Sequence, residues 1–208
     1  MPHPWLEIPI SDYEQHMALP GIAQAQMLSK ELADAVIAHR PCSIAVIGCA
    51  GGNGFDRLYS PALARVVGID INPTYIEAVR GRYGAIIPGL ELHVADIETD
   101  LANVAPVDLV FAGLIFEYVD VLQTLRNLHG LCLEASVVVV VLQLPGAQTP
   151  AVSPSPYVSL QALSPHLQLR DPASVAAIGR SLGLEKLTER RLVLPSGKAF
   201  AVLTFRRP

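Results

Sequence analysis

The residues with the most chemical promise lie at 43–54, SIAVIGCAGGNG. Residues 43–47 read as a short apolar strand. Gly48 ends it, and Gly51, Gly52 and Gly54 follow at once. A strand, a glycine-rich turn and then a helix bring backbone N–H groups against a nucleotide-like ligand. Glycine suits such a turn because it tolerates positive φ and has no Cβ to hold a ligand off. A tight turn with no ligand would use the same residues. The spacing narrows the ligand class. The dinucleotide pattern G-x-G-x-x-G fails at Ala50, and the phosphate-cradling G-x-x-x-x-G-K-[ST] is absent.

Two acids stand at the ends of later strands. Asp70 closes the second strand, 22 residues beyond Gly48. A carboxylate there is placed to accept from both hydroxyls of a ribose. The rival role is to steady the following helix through its dipole. Ile71, beside it, is expected against an adenine face. Asp96 ends the third strand in VADIE and alone reads as a solvated loop acid. A glycine loop and two acids at three strand ends is a more specific arrangement, since open α/β sheets bind ligands at that edge. Glu117 and Tyr118 follow the fourth strand. They read either as a helix-start acid and a packed ring, or as contacts to a substrate. His16 titrates near neutrality and is suited to take a proton from an acceptor, or it is an ordinary surface or core histidine. His93 and His129 read as structural. Arg190, Arg191, Arg206 and Arg207 read as a solvated sheet edge rather than a nucleic-acid surface.

The run Gly48-x-Ala50-x-Gly52-Asn53-Gly54 resembles the first motif of the class I S-adenosylmethionine-dependent methyltransferases. Two positions depart from it. Ala50 replaces the middle glycine, and Val46 stands where the family usually has an acid that anchors the cofactor's amino group. The resemblance implies cofactor contacts from Gly48, Ala50, Gly52, Asn53, Asp70 and Ile71. It also implies that Asp96 meets the adenine amino group with the Ile97 backbone beside it, and that Ala112 flanks the methionine end. Tyr13-Glu14-x-His16-Met17, followed by Gln24, resembles a set of small bacterial methyltransferases and adds Gln24 to the cofactor contacts. In that fold the N-terminal segment closes as a lid. The Asn/Asp-Pro-Pro-Tyr motif of enzymes that methylate adenine or glutamine nitrogen is absent after the fourth strand, as is the aspartate of aminopropyl transferases. The expected reaction is in-line transfer of the methyl group to a small-molecule acceptor, leaving S-adenosylhomocysteine. Tyr13, His16, Glu117 and Tyr118 are the candidates for catalysis, and no metal is called for. Two rivals share these residues: a nicotinamide-dependent oxidoreductase, disfavoured by the broken fingerprint and the lack of a second domain, and a non-catalytic binding module of the same fold.

The elements that must hold these residues follow from periodicity. A helix is expected over 22–38, with Leu28, Leu32 and Val36 on one stripe. Strands are expected at 66–70, 90–96, 108–112 and 136–144, the last buried on both faces by its unbroken valines. Helices are expected from Asn72-Pro73 to Tyr83, over 121–129 and over 172–182. Ser11 is read as capping a short helical turn, and residues 146–164 as a loop or lid. Strands at 185–194 and 198–206 around Pro195-Ser196-Gly197 make a closing hairpin. The alternation implies a doubly wound, mostly parallel seven-stranded sheet with a C-terminal antiparallel hairpin, as in the class I methyltransferases. One domain over 1–208 is expected, with 1–40 as lid and helix.

The chain has 208 residues, 51% hydrophobic and 16% charged, which excludes disorder. Its net charge of −4 disfavours a protein that wraps nucleic acid. Cys42, Cys49 and Cys132 show no metal spacing and no disulfide framework, so a reducing, cytoplasmic setting is expected. No signal peptide and no membrane span are expected, and the chain is read as a monomer or homodimer.

Overall fold

A computed structural model describes residues 3–58, 62–99, 101, 103–146 and 150–208. Parts of two expectations, residues 1–2 of the lid and 147–149 of the loop, lie outside the described residues. Seven strands form one sheet: β1 (Ser43–Ile47), β2 (Arg65–Asp70), β3 (Leu90–Val94), β4 (Val107–Gly113), β5 (Cys132–Gln143), β6 (Glu185–Val193) and β7 (Ala199–Arg206). Their order is β3-β2-β1-β4-β5-β7-β6. The pairs among β1 to β5 are parallel, and β7 lies antiparallel between β5 and β6. The expected fold is therefore the observed one.

Period-two alternation divides the core between the two faces. Ala45 and Ile47 of β1 and Val138, Val140 and Leu142 of β5 face one cluster, with Leu125, Leu128 and Val175 beneath them. Ile44 and Val46 of β1 and Val137, Val139 and Val141 of β5 face the other, with Leu28, Leu32, Ile76 and Val79. The helices are α1 (Ile10–Ala18), α2 (Gln24–His39), α3 (Pro73–Tyr83), α4 (Val121–Gly130) and α5 (Pro172–Ser181). Three start on side-chain caps. Asn72 accepts from Thr74 N–H at 2.9 Å, Asp120 from Gln123 N–H at 2.7 Å and Asp171 from Ser174 N–H at 3.0 Å.

Several boundaries differ from expectation, these three among them. Ser11 caps nothing, because Pro9 holds the cap position and α1 runs on to Ala18. β3 stops at Val94, and its expected last residues, Ala95 and Asp96, form the turn that follows. β5 begins at Cys132, four residues before Ser136, but its register breaks between the pairs at Val107 and Leu109, and Ala135 takes φ +63°. Glu134 and its neighbours are exposed there, so no apolar alternation announces the early start. Arg190, Arg206 and Arg207 of the final hairpin each have a partner within the fold. Arg190 pairs with buried Glu31, Arg206 with Glu185, and Arg207 donates to the Cys132 carbonyl.

Candidate functional site

The carboxyl ends of the parallel strands open into a cavity, where open α/β sheets bind their ligands. Gly48 and Ala50 come from the glycine loop, Asp70 and Ile71 from the end of β2, and Asp96 and Ile97 from beyond β3. Gly113, Leu114 and Ile115 come from the end of β4. The loop is tied down at its entry, where Gly48 and Cys49 N–H both donate to the Ile69 carbonyl. Gly48 takes φ +63°, which would strain a side chain there, and a Cβ on it would displace Ile115 Cδ1. Ala50 also lies in the left-handed region, at φ +47°. Its N–H donates to Asp70 Oδ2 at 2.9 Å, while Asn72 N–H donates to Asp70 Oδ1 at 2.9 Å. One carboxylate thus joins the glycine loop to the start of α3. Burial pushes the Asp70 carboxyl up to about 6, against the pull of those amides.

The N-terminal segment roofs this cavity. Trp5 meets Tyr13 edge-on with centroids at 5.7 Å and Tyr118 at 5.1 Å, and Tyr13 stacks on Tyr75 at 6.1 Å. The segment is also pinned through its backbone. Asn72 Nδ2 donates to the Trp5 carbonyl at 2.9 Å, and Tyr75 Oη to that of Ile8 at 3.0 Å. Arg82 pairs with Glu14 and donates to the Gly51 carbonyl at 2.9 Å, which latches α1 to the glycine loop. Burial pushes the Tyr13 and Tyr118 hydroxyls up, so both remain neutral donors.

A second cavity, about 540 Å³, adjoins the first and shares Trp5, Tyr13, Leu114 and Tyr118 with it. Its polar lining is His16, Gln24, Glu117, Gln143, Ser153 and Lys198. His16 is 6% exposed, and its Nδ1 lies 2.8 Å from Ser155 Oγ. Burial, aided by Lys198, lowers its pKa, so the imidazole is neutral at physiological pH. Glu117 is 1% exposed. Its Oε1 accepts from Gln143 N–H at 2.6 Å, and its Oε2 is buried with no hydrogen-bond partner among the described residues. Burial pushes this carboxyl up to about 7. Lys198 is 4% exposed, and burial brings its ammonium down to about 8. Its Nζ donates to the Ala151 carbonyl at 2.9 Å, the same oxygen that Gln143 Nε2 reaches at 2.9 Å.

A family model described as a methyltransferase domain matches residues 45–140. The span covers the glycine loop, both acids and most of the parallel sheet. That stretch is similar to a methyltransferase domain, and the sheet that carries it has the class I S-adenosylmethionine-dependent methyltransferase fold. Among solved structures, the N-methyltransferase NodS from Bradyrhizobium japonicum WM9, in complex with S-adenosyl-L-homocysteine, is 17% identical with a TM-score of 0.63. The alignment covers all of this chain and 93% of NodS. The N-terminal domain of EvdMO1, solved in the presence of S-adenosylhomocysteine and D-fucose, is 19% identical with a TM-score of 0.63, covering 87% of this chain and 83% of that one. The [4+2]-cyclase SpnF is 12% identical with a TM-score of 0.65, covering 86% and 81%. At these identities the neighbours show the fold. A search of curated proteins finds no match.

The fold brings Gly48, Ala50, Asp70, Ile71, Asp96 and Ile97 together around the first cavity, with Tyr13 and Tyr118 on its roof and wall. The other expected cofactor contacts lie elsewhere. Gly52 and Asn53 face a third opening behind the loop, beside Glu14 and Arg82. Gln24 lines the second cavity. Ala112 is fully buried in the sheet, and Gly113, one residue on, takes the cavity position expected for it. His16 and Glu117 line the second cavity, not the first. Trp5, Tyr75, Gln143 and Lys198 are site residues that the sequence reading missed. Trp5 alone carried a signal, as the single tryptophan of a proline-bearing segment. Val46 is buried in the core, so no acid supports the loop from below, and Asp70 holds it from the neighbouring strand.

Two expectations follow. Gly52 sits at φ +83°, and a Cβ there would lie 2.7 Å from the Tyr83 ring. Gly52→Val should therefore shift the whole loop and raise the dissociation constant of S-adenosylhomocysteine more than tenfold in calorimetry, with the circular dichroism spectrum unchanged. Tight binding by the folded variant would separate the loop from the ligand. Glu117 carries a folded pKa above its unfolded value of 4.5, so its burial penalty grows as pH rises from 4.5 towards 7. Glu117→Gln removes that penalty. The variant should gain on the order of 2 kcal/mol over the wild type at pH 8 and little at pH 4.5, read by urea denaturation at both.

Proposed function

We propose that this protein passes the methyl group of S-adenosylmethionine from the first cavity to a small molecule held in the second. The observation that carries the reading is the shared wall of Trp5, Tyr13, Leu114 and Tyr118 between the two cavities. A methyl group at that wall would face an acceptor on the other side. The residues of the first cavity suit the cofactor. Asp70 offers a carboxylate for two ribose hydroxyls, Ile71 and Ile97 offer apolar faces for adenine, and Asp96 offers an acceptor for its amino group. Trp5, Tyr13 and Tyr118 supply aromatic faces beside a sulfonium cation. Gly113, Leu114 and Ile115 would flank the methionine end.

The bound cofactor supplies an activated methyl group, so the protein's work is alignment, exclusion of water and proton handling. The aromatic roof excludes water and fixes the acceptor. Neutral His16 and half-protonated Glu117 are both placed to take a proton from it. An acceptor small enough for the second cavity favours a metabolite over a macromolecule. The test is direct. The protein should bind S-adenosylhomocysteine in calorimetry, and should transfer a labelled methyl group from S-adenosylmethionine to the low-molecular-weight fraction of a cell extract. Binding without transfer to any fraction would favour a non-catalytic module. Tighter binding of NAD would favour the oxidoreductase.

A further inference from the structure

We infer that the methyl acceptor is a small amino-carboxylate, its nitrogen at Glu117 and its carboxylate at Lys198. The inference rests on the reading of the second cavity as the acceptor site. Two opposite charges are built into that cavity and neither is neutralised by the other. Lys198 has three N–H donors, of which one is used, on the Ala151 carbonyl. Among the described residues no carboxylate lies within ion-pair distance of it. Glu117 uses one oxygen on the Gln143 amide and leaves the other buried without a partner. Its electrostatic partner is Arg170, not Lys198, so the two groups serve different parts of the cavity.

Unpaired polar groups this deeply buried cost stability, and they persist where a ligand completes them. The wall between them has a fixed order. Glu117 Oε1 holds the Gln143 amide, and the Gln143 side chain and Lys198 meet on one carbonyl. A ligand lying along that wall would need a donor at one end and an anion at the other. Gln143 sits between them as a neutral spacer.

The order also decides which end is methylated. Both groups line only the second cavity, but Glu117 is joined in the chain to Tyr118, which lines both, whereas Lys198 has no chain neighbour on the first. The nitrogen therefore lies nearer the cofactor. The incoming ammonium gives one proton to the Glu117 carboxylate, which frees its lone pair. The N–C bond forms as the sulfonium C–S bond breaks, and the electron pair of that bond stays on sulfur as the thioether. The product leaves as a methylammonium carboxylate, and the Glu117 proton passes to solvent.

The experiment is calorimetry on the full chain saturated with S-adenosylhomocysteine. The probes are an ω-amino acid series from glycine to 6-aminohexanoate, with the alkylamine and alkanoate of matching length. At least one zwitterion should bind tenfold or more tightly than both of its singly charged analogues. Lys198→Met should erase the advantage over the amine, and Glu117→Gln the advantage over the carboxylate. Each variant should keep its S-adenosylhomocysteine affinity within about twofold, which shows that the fold survives. The assignment is overturned if no zwitterion shows the advantage, or if the advantage survives both substitutions. If the wild type fails to bind S-adenosylhomocysteine at all, the methyl-transfer site itself falls, and this assignment with it.

Discussion

Replacing Asp70 by alanine is expected to weaken S-adenosylhomocysteine binding about a hundredfold, roughly 2.7 kcal/mol. The residue does two things at once. Its carboxylate faces the cavity where the ribose hydroxyls would lie, and its two oxygens fix the Ala50 and Asn72 amides. Alanine removes the ribose acceptor and releases the glycine loop together. Asp70→Asn separates the two. The amide keeps one acceptor oxygen and presents an NH₂ to the other backbone N–H, so an intermediate loss of about tenfold is expected. The pH dependence gives a second signature. With its folded pKa near 6, Asp70 is ionised at pH 7.5 and increasingly protonated below 6. A protonated acid is a poorer acceptor for two hydroxyls. Wild-type affinity should therefore fall as pH drops from 7.5 to 5.5, and Asp70→Asn should flatten that dependence. An unchanged dissociation constant in Asp70→Ala would remove Asp70 from the cofactor site.

Deleting residues 1–20 is expected to remove methyl transfer almost entirely, by a factor of about a thousand or more, while leaving the sheet folded. The segment contributes no strand, so the sheet's hydrogen bonds survive its loss. What goes is the roof. Trp5 and Tyr13 line both cavities, and His16 lines the second. Without them the cofactor keeps its strand-end contacts, so its affinity should fall only about tenfold. The acceptor, however, loses a wall, and water enters. Ile8 also leaves Leu160 and Leu163 exposed, so a drop of several degrees in Tm is expected. A single substitution tests the roof without truncation. His16→Ala should lower kcat more than it changes S-adenosylhomocysteine binding if the imidazole takes the acceptor's proton. Hydrogen exchange reads the closure without knowledge of the acceptor. The amides of residues 13–17 should gain protection when S-adenosylhomocysteine is added. Equal exchange with and without it would mean that the segment packs as a fixed part of the wall and closes on nothing.

Much of the strand-end cavity's lining was legible in the sequence, because its signals are local. The apolar run before Gly48, the Asn72-Pro73 cap pair and the acids at two strand ends each depend on a few adjacent residues. The parallel strand order follows from alternation of strand and helix. Errors there were small. Ala112 was one residue off, and Gly52 faces Tyr83 because a loop's outward side is invisible in its spacing.

The second cavity was legible only as scattered candidates, Tyr13, His16, Gln24, Glu117 and Tyr118, and not as one site with Gln143 and Lys198, for a reason that lies in its construction. His16 meets Ser155 across 139 residues of sequence, and Lys198 meets the Ala151 carbonyl across 47. No periodicity or spacing records such contacts. Lys198 stands just ahead of β7, after the Pro195-Ser196-Gly197 turn, and nothing in its spacing marks it as buried. Only the insertion of β7 antiparallel beside β5 carries the start of that strand to the carboxyl edge of the sheet, where the other strands end. Had β7 run parallel, the same lysine would have lain at the far edge, away from both cavities. By itself, the sequence determined the frame and the loop that holds the cofactor, since helix caps, strand alternation and glycine turns act over short stretches of chain. Tertiary structure alone decided which buried charges face the acceptor, because their environment is set by chain reversal and by burial against distant segments.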